Sequence, residues 1–375
     1  MIKVQALAVL ALFIFLLTLD TGSTGVVRRE VNLDTLELVH VVFRHGDRTP
    51  DKSAIYKNDP YINVTYHPIG NGQLTNAGKR KEYDIGKALR SRYSNFLEHD
   101  FTLDMVDARC TDYNRTKMSL QLVLASLFPP RGHFVWENRL DWQPVPFNYW
   151  PVDEDHVLAD PLKNCPKYYK LFWNYLQSPE ALRIYENYTD VINYIEKHAG
   201  QPMNSKVFAD IYFTLTTEKE NGYDHPEWAK DVYHHIHDLA IKDYIASTAT
   251  PELKKYAVGF LVKKIVDDSM AKIKGEYKNT KIFLYSAHEF NIAILLRFLD
   301  VFYPHVPPYG SYVIIEIHNV NGIRGVKVFY QDYSSEKPKR IYLPGCGNFC
   351  KLRKFISLYG HMFPEDEKEC FNVEH

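Results

Sequence analysis

Short runs of β-branched and aromatic residues cut this chain into strand-like and helix-like pieces. Residues 36–43 (LELVHVVF) form an apolar run too short for a core helix, which predicts a strand buried on both faces. Residues 101–108 and 281–286 (KIFLYS) predict two more strands. SYVIIEIH and GVKVFYQD, joined across Asn321-Gly322, predict a hairpin, because Asn-Gly suits the left-handed positions of a two-residue turn. Between these runs the apolar period lengthens to that of a helix. Thr75 is a helix N-cap, and Ala77, Ile85, Ala88 and Leu89 give that helix its apolar face. A second helix follows Arg109 with a face through Met118, Leu122 and Leu127. A third (VGFLVKKIVDDSMAKI) lies within residues 251–274, and a fourth spans residues 291–299.

Residues 129–251 differ in texture, being rich in Trp, Tyr, Pro and charge, with helical pieces at 168–177 and 182–199. They read as a mostly helical insertion. Strands and helices alternate on either side of it, which places the chain in the α/β class, with a core from residues 32–128 and 253–370 and an inserted domain from 129–252. Residues 51–72 carry Pro, Asn, Gly and Tyr without period and predict a long loop beside the end of the first strand, where loops shape access to a site.

Composition narrows the class further. With 45% hydrophobic and 24% charged residues over 375 positions, the chain is globular, and a formal charge of −1 without a basic stripe excludes nucleic acid as a partner. Residues 1–19 carry one early Lys3, then an apolar stretch, then the small residues of 21–25, the pattern of a secretory signal peptide cleaved near Ser23 (residues 1–23). An uncleaved membrane anchor is the competing reading. No second apolar span appears and the end, PEDEKECFNVEH, is polar, so the expected product is secreted, or lumenal in the lysosome, without a stable membrane anchor. Five cysteines on that route predict two disulfides and one thiol. The sequons at Asn63, Asn114 and Asn187 predict glycans, least readily at Asn114, which lies inside a motif expected to face the ligand.

The chemistry collects where strands end. Arg44-His45-Gly46-Asp47-Arg48-Thr49-Pro50 follows the first strand, Arg109 the second, and Ala287-His288-Glu289 the strand at 281–286. In open α/β sheets ligands bind beyond the carboxyl ends of strands, and a glycine there lets backbone come close to one. Two guanidiniums flanking an imidazole make an anion pocket that contains its own nucleophile and needs no metal. His234, His235, His237 and Asp238 invite a metal reading by helical spacing, but no Cys or Glu partner accompanies them, and a solvated helix face is the better account.

RHGDRTP resembles the RHGxRxP signature of the histidine acid phosphatases, in the form of the prostatic and lysosomal branch, and the likeness runs from about residue 36 to 370. It implies a mostly parallel sheet covered by helices, with a smaller helical domain inserted. It implies that His45 attacks phosphorus to form a phosphohistidine, with Arg44 and Arg48 holding the phosphoryl group and no cofactor. RCTDYNRTKMS resembles the family's RSTDxDRTxMS, and assigns Arg109 as the third phosphate-binding arginine; Cys110 and Asn114 stand where the family has Ser and Asp. YSAHEFN resembles the SAHD segment, which makes His288 a phosphate ligand and Glu289 the proton donor, one methylene longer than the usual Asp. The same likeness pairs Cys346 with Cys350 and Cys165 with Cys370, leaves Cys110 free and buried, and implies a homodimer acting on a small phosphomonoester or a phosphoprotein. The rival readings are a secreted binding or effector protein whose catalysis has decayed, and a phytase-like or lysophosphatidate-directed phosphatase.

Overall fold

A computed structural model describes residues 33–97 and 101–373. The expected signal peptide lies outside the described residues. Strand β1 (Leu36–Arg44) is buried at every position but Glu37, as a valine-rich run between two neighbours must be. The chain then passes through α1 (Asn76–Arg92), β2 (Val106–Cys110) and α2 (Asn114–Leu127). Seven helices of the inserted region follow: α3 (Pro161–Asn164), α4 (Pro166–Leu176), α5 (Pro179–Glu186), α6 (Thr189–Ala199), α7 (Ser205–Glu220), α8 (Glu227–Lys230) and α9 (Tyr233–Ala246). Then come α10 (Pro251–Lys274), β3 (Ile282–Ala287), α11 (Glu289–Phe298) and the hairpin β4 (Tyr312–Val320) and β5 (Ile323–Gln331). The short β6 (Lys339–Ile341), β7 (Cys350–Lys351) and α12 (Leu352–Tyr359) end the order.

The strands form one mixed sheet in the order β2-β3-β1-β4-β5-β6, with β7 also on β5. β2, β3 and β1 are parallel neighbours, and β4 adds to β1 antiparallel. The hairpin turns as expected, with Asn321 and Gly322 both at positive φ, so β5 again runs with β1. The alternating side chains of β1 supply two cores. Leu38 and Val42 pack with α4, α10, α11 and α12, and Val39, Val41 and Phe43 with α1 and α2.

The sequence reading is shifted in places. The second strand begins only at Val106, after a 3-10 turn at Leu103–Met105. On α2 the buried face runs through Leu120, Val123, Leu124 and Leu127, with Met118 and Leu122 only half-buried. The helix expected at 182–199 breaks into α5 and α6 at Asn187-Tyr188. The inserted region has its own apolar cluster, built mainly from α6, α7 and α9, but α4 sends Tyr168 and Phe172 into the main core. From Leu33 onward the described residues form one unit. Disulfides join Cys165 to Cys370 and Cys346 to Cys350, and Cys110 is a buried thiol. Among the described residues no helix is long and apolar enough to cross a membrane.

Candidate active site

Because β2, β3 and β1 are parallel neighbours, their carboxyl ends share one edge of the sheet, and the charged segments seen in sequence meet there. Arg44 pairs with Ala287 across the ladder, and the next residue, His45, donates its backbone N–H to Ala287 at 3.0 Å. Its ring therefore comes edge-on to His288, with centroids 5.4 Å apart and planes at 76°. His45, His288 and Glu289 each bring a nitrogen or oxygen to within 4.8 Å of the others. Gly46 has a different reason from the one its position suggests. A Cβ there would lie 2.6 Å from the carbonyl oxygen of Gly78, and one on Gly78 would lie 2.2 Å from that of Asp47. Both glycines let the loop lie directly on the first turn of α1, where Thr75 caps the helix by accepting from Gly78 N–H at 3.1 Å.

The His45 ring is buried and its Nδ1 lies 2.8 Å from the carbonyl oxygen of Gly46. A carbonyl only accepts, so Nδ1 carries the proton and Nε2 is left with a free lone pair in the neutral ring. Burial holds the imidazole well below its usual pKa, and Arg115, His288, Arg44 and Arg48 push in the same direction. A ring that stays neutral in acid is a ring that remains nucleophilic there.

Three guanidiniums surround this ring, though not the three expected. Arg44 donates to Pro307 O at 2.6 Å, stands 3.4 Å from Glu289 and lies 3.8 Å from the centre of the Tyr309 ring. Arg48 donates to Thr49 O at 2.9 Å and lines a cavity of about 230 Å³. The third is Arg115, at the start of α2, which pairs with Asp51 at 3.2 Å and lines the same cavity. Arg109 does not reach it. Side chains alternate along β2, so Ala108 and Cys110 pack toward α1 and α2 while Arg109 points to the opposite face. There it donates to Asp155 and lies 3.9 Å from the centre of the Trp150 ring. The expected position of Arg109 in the pocket is thus corrected: Arg109 lies outside the cavity, and Arg115, six residues on in the same motif, stands in it instead. Mutual crowding with Arg48, added to burial, lowers the Arg115 pKa, and the Nε atoms of Arg48 and Arg115 are buried without a hydrogen-bond partner. A pocket with that surplus of donors and positive charge is built for an anion.

A family model for the histidine phosphatase superfamily, branch 2, matches residues 35–331. The chain belongs to that superfamily. Among its relatives, the venom acid phosphatase of Apis mellifera is 35% identical over 89% of this chain and 87% of its own. Human prostatic acid phosphatase is 32% identical over 92% of this chain and 90% of its own, and human lysosomal acid phosphatase 30% over 95% and 85%. The phytase of Klebsiella sp ASR1 superposes with a TM-score of 0.64, covering 89% of this chain and 97% of its own at 17% identity, which is a likeness of fold.

In this histidine phosphatase the cavity is lined by Arg48 and Arg115, by Tyr113, His288 and Glu289, by Phe213, Tyr244 and Phe290, and by Asp160, Lys206, Asp210 and Asp243. His45, His288 and Glu289 are also the only trio of potential metal ligands that closes among the described residues, so His234, His235, His237 and Asp238 do not converge. Arg44, Arg48 and Arg115 border that trio and their field opposes a cation. Asn63, Asn114 and Asn187 are all exposed. Residues 51–72 form mostly turns, and Asp51, Ser53 and Ala54 from that loop line the cavity as expected of an access loop.

Proposed function

We propose that the chain is a secreted acid phosphatase that hydrolyses phosphate monoesters through a phosphohistidine at His45. What carries this is one neutral imidazole, bare at Nε2, ringed by Arg44, Arg48 and Arg115. Nε2 attacks phosphorus in line, the P–O bond to the alcohol breaks, and Glu289 gives its proton to the departing oxygen. A water then attacks the P–N bond, its proton goes to Glu289 and the phosphate leaves, which restores the ring. The arginines and His288 bear the charge on the non-transferring oxygens through both steps, and no step calls for a metal. The decayed-protein reading lacks support from the site, whose charged groups converge on one point. A phytase-like specificity lacks free positive charge beyond the arginines: the cavity wall offers two lysines, Lys206, which faces Asp210 at 4.0 Å, and Lys163, which is engaged with Tyr113 Oη at 2.9 Å. Further phosphates on one ring would meet that wall, whereas a single phosphoryl group on an apolar body fits the aromatic side chains between. Export, glycans at Asn63 and Asn187, and a homodimer belong to the same proposal.

The test is turnover of p-nitrophenyl phosphate by the purified protein, with an acid quench of the labelled enzyme. The reading requires label at His45 and none in His45→Ala. Label at another residue, or no turnover between pH 4 and 8, overturns it.

A further inference from the structure

We infer that Thr111 is a positioning residue for His288, and that Thr111 and Thr116 together hold the ring proton of His288 on Nε2. The inference rests on the proposed role of His288 as a phosphate ligand, and neither threonine has a part in the mechanism above. Both are fully buried. Thr116 Oγ1 lies 2.8 Å from the carbonyl oxygen of Thr111 and 2.9 Å from that of Tyr113. Carbonyls only accept, so the Thr116 hydroxyl proton points at them and its oxygen is open to receive. Thr111 Oγ1, 2.9 Å away, donates into it. Having given its single proton to Thr116, the Thr111 hydroxyl can only accept from His288 Nε2, which lies 2.9 Å from it. The chain of donors therefore runs one way, from imidazole to hydroxyl to hydroxyl to backbone.

A second observation, on the other side of the ring, gives the same tautomer. His288 is the N-cap of α11 and shares a reciprocal capping box with Asn291. Its backbone N–H donates to Asn291 Oδ1 at 3.1 Å, and its side chain receives the backbone N–H of Asn291. A nitrogen that receives has no proton. With Nδ1 occupied by the cap, the N–H is on Nε2. Edge contacts with His45 and with Tyr113, at 5.4 and 5.1 Å between centroids, fix the remaining freedom of the ring.

The proton's location matters because this ring is neutral. Burial holds its pKa well below the usual value, and Arg115, Arg48 and Arg44 add to that. A neutral imidazole offers an anion either an N–H or a lone pair at a given edge, and the two differ in sign. Held on Nε2 and engaged by Thr111, the proton orients a neutral ring amid three arginines, and a phosphate oxygen reaching that edge shares an N–H with Thr111 Oγ1 rather than meeting a lone pair. In the other tautomer the same edge would repel the ligand.

The experiment compares wild type, Thr111→Val and Thr111→Ser, each labelled with ¹⁵N-histidine, by long-range proton–nitrogen NMR, alongside inhibition by inorganic phosphate and turnover of p-nitrophenyl phosphate. The His288 signals are assigned by their loss in His288→Gln. Wild type and Thr111→Ser should show a protonated Nε2 and an unprotonated Nδ1. Thr111→Val, of nearly equal shape, should keep Nδ1 unprotonated through the Asn291 cap but lose the fixed orientation of the ring, read as broadened His288 signals and about tenfold weaker phosphate inhibition, the worth of one good hydrogen bond. A His288 proton on Nδ1 in wild type, or phosphate inhibition unchanged in a folded Thr111→Val, overturns the inference. The wild-type spectrum decides the matter even where the valine variant does not fold, and absence of turnover with the tautomer as stated counts against the phosphatase reading alone.

Discussion

Arg109 and Arg115 carry the same charge within one eleven-residue string, yet the register of β2 sends the first to Asp155 and the start of α2 brings the second to the cavity. Removing Arg115 should therefore cost binding of the transferring group. Arg115→Ala is expected to lower kcat/KM for p-nitrophenyl phosphate and to weaken phosphate inhibition by roughly 10- to 100-fold, the range of a charge-assisted hydrogen bond. Arg109→Ala should leave phosphate inhibition near wild type and instead lower stability, by about 1.5 to 3 kcal/mol, since Asp155 keeps the N–H groups of Val157 and Leu158. Urea unfolding set beside inhibition kinetics separates the two, and loss of inhibition in Arg109→Ala would reverse the assignment. Glu289 is tested by leaving group. General acid help is typically worth roughly 10²- to 10⁴-fold and matters most for a poor leaving group. Glu289→Gln should then depress hydrolysis of an alkyl phosphate far more than that of p-nitrophenyl phosphate, and equal losses would mean a role in binding. At this scale the sequence made Arg44, His45, Arg48, His288 and Glu289 legible, because their types and order have few other uses. It could not distinguish Arg109 from Arg115, because that depends on a partner 46 residues away.

The elements that hold the access loop in place were harder to see. Residues 51–72 have no period, and what fixes them is α7 of the inserted region. Thr214 donates to Ala54 O at 2.9 Å, and Asn221, the cap that ends the helix, donates to Arg48 O, just before the loop, at 3.1 Å. Below these contacts Asp59 of the loop meets Glu218 of α7, both buried and sharing a hydrogen bond, with Tyr56, Tyr61 and Tyr66 around them. Burial first, then the Asp59 charge, raises the Glu218 pKa from its usual 4.5 to about 9. The folded chain therefore binds a proton that the unfolded chain has already released above pH 4.5, so stability from this group is full in acid and declines as pH rises toward 9. His40, buried with its pKa lowered to about 3, works in the opposite sense only below pH 6.5. Between pH 6.5 and 9 the slope should thus come from Glu218 together with the fully buried Glu82, whose pKa burial also raises well above its usual value. Thermal melts across that window should fall with pH in wild type and fall less in Glu218→Gln, whose amide remains a donor to Asp59. Parallel slopes would remove the pair from the account. Strands and the hairpin were legible because apolar runs with few polar interruptions have one common use in an α/β sheet. The break between α5 and α6 was not, because the apolar spacing continues across Asn187-Tyr188.

Across the whole molecule, the alternation of strands and helices outside residues 129–252 was enough to give the class, but not how the inserted region attaches. Its own cluster lies among α6, α7 and α9, while α4 packs on α10 within the main core, a division no composition change marks. The bridge from Cys165 to Cys370 sits at that attachment. Cys165 precedes α4, and Cys370 ends a 3-10 turn, Glu367–Cys370, which packs against α4 after the sheet is complete. The bridge spans 205 residues of sequence, whereas Cys346 and Cys350 are 4 apart. A cross-link stabilises mainly by restricting the unfolded chain, and the restriction grows with the logarithm of the loop it closes. Cys165→Ala with Cys370→Ala should therefore lower the unfolding free energy by about 2 to 4 kcal/mol, and Cys346→Ala with Cys350→Ala by clearly less. Both double variants would be unfolded in urea without reductant, with Cys110→Ala in the background so that no thiol exchange intervenes. If the short loop proved the costlier loss, the 346–350 bridge would be acting on the native state, through the position of β7 against β5, and the loop-length account would fail for this protein.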